Sequence, residues 1–139
     1  MEKSKMQLIK EWIEKCPLLS GNKISVDYLK DDIDSYSIDR TPVQPEVSNF
    51  VDGRGGKRQI AFDFSVTAPL SSVAIVNLAN SKFCEDFMKW VETQNRAKEF
   101  PEIDGAFSIK CTSPGYILQK TETAAIYIIQ MNFTYYEFL

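Results

Sequence analysis

The sequence has no histidine. Imidazole is the one side chain whose unperturbed titration falls near neutral pH. Its absence removes histidine-based triads, cysteine–histidine dyads and histidine-ligated zinc. Cysteine is scarce too. Cys16, Cys84 and Cys111 stand far apart with no C-x-x-C spacing, so no zinc or redox motif is suggested. They are expected to serve as small buried hydrophobes. Long apolar runs are also missing, and no stretch approaches the roughly 20 residues needed to cross a bilayer. The opening MEKSKMQLIKEWIEKC is amphipathic and carries Glu2, Glu11 and Glu14. That is not the pattern of a signal peptide, so the cytosol of the producing cell is the expected compartment.

What is present is ordinary for one folded domain. The chain has 139 residues, 44% of them hydrophobic and 25% charged. A domain of this size buries roughly two-thirds of its unfolded surface, enough for a core without staples. A net charge of −3 and a pI near 5.0 argue against a protein built to coat nucleic acid.

Met6, Ile9, Trp12, Ile13 and Cys16 recur at spacings of three and four, which predicts a helix over 3–16, stopped by Pro17. Ile24, Val26 and Tyr28 alternate with polar residues and predict a strand. SYSIDR (35–40) predicts another, after an acidic turn at 31–34. Pro42 and Pro45 lack the amide hydrogen of a central strand, so the extended run that begins at Thr41 starts at an edge or outside the sheet. Ile60, Phe62, Phe64 and Val66 form the apolar face of a clear strand. Residues 71–97 are expected to be helical in two pieces broken near Asn80. The first carries Val73, Val76, Leu78 and Ala79. The second carries Phe83, Phe87, Trp90 and Val91, with Ser81 as its N-cap. AFSIKC and GYILQK predict one strand interrupted at Ser113-Pro114-Gly115. The chain then ends in a long strand antiparallel to them, with Tyr127, Ile129, Met131, Phe133 and Tyr135 on one face. Grouped helices and strand following strand indicate an α+β fold. It is a single domain over 1–139, with a mainly antiparallel or mixed β-sheet and an N-terminal helix and central helix pair on one face.

The stretch VDGRGGKRQ (51–59) invites a phosphate-binding reading and fails it. Gly56-Lys57 is followed by Arg58 rather than Ser or Thr, and what comes next is a strand, not a helix. Asp52-Gly53 and Gly55-Gly56 between extended runs instead predict a β-hairpin tip. Arg54, Lys57 and Arg58 would then crown that tip, as solvated charges or as a docking point for an acidic partner surface. The carboxylates Asp27, Asp31, Asp32, Asp34 and Asp39 lack the glycine and terminal glutamate of a calcium loop and predict a charged turn. In the terminal strand, Phe133, Tyr135 and Tyr136 cannot all face one way, so some rings are expected to emerge as an interface.

Several stretches follow one another in a familiar order: LIKEWIEKCPLL (8–19), ISVDYL (24–29), YSID (36–39), the VDG…RQ hairpin (51–59), FCEDFMKWVETQNRAKEFPEI (83–103), SPGYI (113–117) and YIIQMNFTYYE (127–137). Together they cover nearly the whole chain. The sequence resembles the tail terminator and minor capsid (tail completion) proteins of long-tailed phages and prophages of Gram-positive bacteria. The resemblance implies a structural role in virion assembly and no enzymatic activity. Such α+β proteins assemble as a ring, commonly a hexamer, on the head-proximal end of the tail tube. The ring stops tube polymerisation and offers a surface for joining the head. The implied partners are further copies of the chain, the tail tube protein and a head-completion or connector protein, with no membrane and no sequence-specific nucleic acid. The implied location is the virion, after assembly in the bacterial host cytoplasm. A head–tail connector or another minor capsid component is the alternative within the same gene cluster. No catalytic residue, cofactor or metal ligand is carried over, and the candidate interface residues are Arg54, Lys57, Arg58, Tyr135 and Tyr136.

Overall fold

A computed structural model describes residues 3–19, 24–26, 35–69, 74–121 and 123–138. Two strands of equal length form its backbone: β4 (Gly55–Pro69) and β7 (Ala124–Phe138), antiparallel over their whole extent from Gly55↔Phe138 to Pro69↔Ala124. The alternation read from sequence holds in both. Phe62 faces Met131, Phe64 faces Ile129 and Ile60 faces Phe133, all on one side of the sheet and all buried.

The other strands flank this pair. β2 (Ser35–Thr41) lies antiparallel to β4 at its Pro69 end, and β1 (Ile24–Val26) runs parallel beside β2. β3 (Glu46–Asn49) pairs with β4 at the opposite end, after Pro42 and Pro45, which stand outside the sheet. β5 (Ala106–Cys111) and β6 (Tyr116–Lys120) both pair with β7, as one strand broken at 113–115. The sheet is therefore mixed, with seven strands among the described residues, and the fold is α+β. Tyr28 and the acidic turn at 31–34 lie outside the described residues.

Two helices cover the apolar face. α1 (Lys5–Glu14) begins at Ser4, whose hydroxyl accepts the Gln7 amide at 3.1 Å, and it buries Met6, Ile9, Trp12 and Ile13. α2 (Ala74–Arg96) is one continuous helix, not two. Asn80, where a break was expected, is instead a tether: its buried side-chain amide donates to the Pro69 carbonyl and fixes the helix to the end of β4. Ser81 is accordingly an exposed mid-helix residue and caps nothing. Leu78 and Ala79 are exposed rather than part of an apolar stripe; Val73 lies outside the described residues, as does the side chain of Val76. The second stripe packs as expected. Phe87 stacks on Phe64 at 4.3 Å, Phe83 on Tyr36 at 6.1 Å, and Trp90 lies 4.8 Å from Trp12 of α1. Among the described residues, no helix is long and apolar enough to cross a membrane.

Candidate interaction surface

At the Gly55 end of the central pair, three chain segments converge: the β3–β4 turn, the start of β5 and the end of β7. Each contributes aromatic rings. Tyr136 and Phe138 lie on the face of β7 opposite the core, because Tyr135 and Phe133 take the inward positions. Phe50, entering the turn, stacks against both, at 6.1 Å from Tyr136 and 5.6 Å from Phe138. Phe107 reaches the same cluster through a bulge. Ala106 pairs with Tyr135 and Ser108 with Thr134, so Phe107 is the extra residue, and its ring stacks on Tyr136 at 4.5 Å. Phe138 remains 72% exposed and Tyr136 39%, with Val47 and Val51 exposed beside them. A contiguous exposed apolar patch of this kind marks an interaction surface more often than a solvated one.

Cations frame the rings. Lys57 stands cross-strand from Tyr136, with its ammonium 5.2 Å from the centre of the Phe107 ring. Arg54 is exposed on the turn, where the Asp52 carboxylate accepts its amide at 3.0 Å and shapes the bend. The hairpin expected from the glycines is present: Gly53 and Gly55 have φ of 73° and 108°, and the Phe50 amide donates to the Gly55 carbonyl at 2.9 Å.

The expectation that all three cations crown the tip is corrected. Only Arg54 is on the turn; Lys57 and Arg58 belong to β4. Arg58 is 7% exposed, and its guanidinium donates to the Ser48 carbonyl at 3.1 Å and the Asn49 side chain at 3.2 Å, while its Nε lies 3.4 Å from the Glu137 carboxylate. It is a strut stitching β3, β4 and β7 together. Tyr135 likewise points inward, 9% exposed and 5.7 Å from Phe133, with the Lys5 ammonium 5.5 Å from its ring centre. Of the five residues singled out from sequence, Lys57 and Tyr136 meet in the patch, Arg54 is exposed on the adjoining turn, and Arg58 and Tyr135 lie behind the patch. Phe50, Phe107 and Phe138 complete the surface and were not singled out. Phe107 alternates with Ile109, which is fully buried, so periodicity alone would have turned it inward.

The described residues contain no group of three or more Cys, Asp or Glu placed to hold a metal. Burial pushes the Cys84 thiol up to about 11 and that of Cys111 up to about 12, which suppresses the reactive thiolate. Asp63 has its carboxyl raised above the ordinary range, first by burial and then by Asp39 directly across the strand pair, against a smaller opposing contribution from the Thr41 hydroxyl. A carboxyl raised in the folded state favours folding fully below its unfolded pKa and loses that contribution as pH rises through the folded value. Asp63→Asn is therefore expected to stabilise the protein at pH 7, with an advantage that shrinks on acidification and vanishes below about pH 3.9. Urea midpoints of the two proteins across this range check it; a gap independent of pH would contradict it.

No family model matches the chain, and no curated protein matches it.

Proposed function

We propose that this chain is a virion assembly protein, a tail terminator that forms a homo-oligomeric ring on the tail tube, stops its growth and presents a surface for head joining. The observation that carries the reading is the surface ring cluster of Phe50, Phe107, Tyr136 and Phe138 with Lys57 against it. Aromatic side chains beside Arg or Lys are the composition of protein–protein contacts, and tight stacking pre-orders them for docking at low entropic cost. The ordered resemblance of nearly the whole sequence to tail terminator and tail completion proteins supplies the biological setting. A terminator needs one face complementary to a tube subunit and another that is not, which a patch confined to one end of the sheet would satisfy.

The test combines two substitutions on the patch, Tyr136→Ser and Phe138→Ser, with Arg54→Glu and Lys57→Glu. All four side chains are exposed or half-exposed, so the thermal midpoint should move little. Light scattering of the wild-type protein with tail tube protein should show a complex, and the patch variant should bind at least tenfold more weakly. In phage carrying the variant, tails should grow overlong. Normal tails detached from filled heads would point to the connector role instead, and normal infectious particles would remove the patch from assembly altogether.

A further inference from the structure

The flanks of the sheet carry a feature separate from the aromatic patch. β6 pairs with β7 on one side, and among the described residues nothing pairs with its other side. All five of its residues are exposed, with Ile117 at 43% and Leu118 at 59%. A free strand edge presents a row of unused amide and carbonyl groups, and folded proteins guard such edges with charge, proline or cover. β6 is guarded only at its end, by a bulge between Ile117 and Gln119 and by Lys120, beside the exposed apolar run Tyr116-Ile117-Leu118. On the other flank β3 has the same character: four exposed residues, with β4 its one partner strand among the described residues.

Strand direction makes these two edges complementary. β3 is antiparallel to β4, β4 to β7 and β7 to β6, so direction alternates along β3–β4–β7–β6. A second copy set beside the first in the same orientation brings its β3 antiparallel to β6. In the register that sets Glu46, which opens β3, opposite Lys120, which closes β6, the two charges are complementary and Ser48 stands opposite Leu118. β3 lies near the turn and β6 at the far end of β7, so joined copies are displaced along the strands as well as sideways. Such a stagger inclines the strands to the axis of a closed ring, as shear does in a β-barrel.

We propose that the free edge of β6 takes up β3 of a second copy as an added antiparallel strand, joining copies head to tail through two different edges of one sheet. This rests on the ring reading above and supplies its self-contact, leaving the rings of the aromatic patch for another partner.

The experiment is oxidative cross-linking of the full chain carrying Ser48→Cys and Leu118→Cys, run beside each single variant and the wild type. The double variant should give a ladder of covalent oligomers on a non-reducing gel, and the other three proteins should stay monomeric. A covalent dimer from Leu118→Cys alone would mean that β6 pairs with itself and would overturn the proposal. No ladder from the double variant, while light scattering shows an oligomer, overturns the strand joint and leaves the ring reading standing. A strict monomer with and without tube protein overturns both. As a second measurement, Glu46→Lys should weaken self-association about tenfold, and adding Lys120→Glu should restore it. Both side chains are exposed, so folding is retained, and failure to restore would overturn the register.

Discussion

Replacing Phe87 with alanine is expected to cost about 3–5 kcal/mol of stability, the range for deleting a fully buried aromatic ring. Phe87 is completely buried in α2, stacked 4.3 Å from Phe64 of β4, with the Trp90 ring tilted against it at 6.0 Å. Both the lost transfer free energy and the cavity left between helix and sheet contribute, because the rigid β4–β7 ladder cannot collapse into the gap. Against a typical total of about 5–15 kcal/mol, this leaves a marginal protein. Urea denaturation measures the change directly, and the thermal midpoint should fall by roughly 10–20 °C. Phe138→Ala provides the comparison. That ring is 72% exposed, and its loss should change stability by no more than about 0.5 kcal/mol. Equal costs at the two positions would refute the assignment of core and surface.

A second large effect is expected at Gly55. A side chain there would meet two obstacles at once: φ is 108°, and a Cβ would lie 1.9 Å from the carbonyl oxygen of Glu137 on the neighbouring strand. Gly55→Ala must therefore push β4 and β7 apart at the end of their ladder, at a cost of about 2–4 kcal/mol from backbone strain and overpacking together. Gly53→Ala separates the two causes. Its φ is also positive, at 73°, but nothing lies within 4 Å of where its Cβ would stand, so only the backbone cost of about 1–2 kcal/mol applies. The Gly55 variant should also loosen the patch, because the Gly55 carbonyl holds the amide of Phe50. Weaker binding to the partner proposed for the patch, at temperatures where the variant is still folded, would show it.

Periodicity made most of the frame legible. The apolar alternation of Ile60 to Val66 and of Tyr127 to Tyr135 identified the inner face of β4 and β7, and the spacing from Met6 to Cys16 identified α1. These residues are buried as that pattern requires. What escaped depends on contacts between distant segments. Asn80 reads as a weak helix former, and only the Pro69 carbonyl beside it explains why the helix runs through. Arg58 reads as a surface cation beside glycines, yet carbonyl and carboxylate groups from two other strands surround it and make burial tolerable. Phe107 owes its outward aim to one extra residue in β5, which no local pattern announces. The interaction surface was half visible for the same reason: its charges and terminal ring lie in conspicuous stretches, whereas Phe50 and Phe107 join it through turn and bulge geometry.

The unbroken pairing of β4 with β7 also has a mechanical meaning. The two strands run antiparallel side by side over fifteen residue pairs, with the aromatic patch at one end and β6 leaving from near the other. A pull along the strand axis loads the rungs of that ladder together in shear, rather than peeling them one at a time. Many hydrogen bonds must then fail at once before the strands slide. The central pair is thus a stiff tie-rod between the two ends of the molecule, able to carry tension from a partner held at one end to a neighbour gripped at the other with little stretch between them.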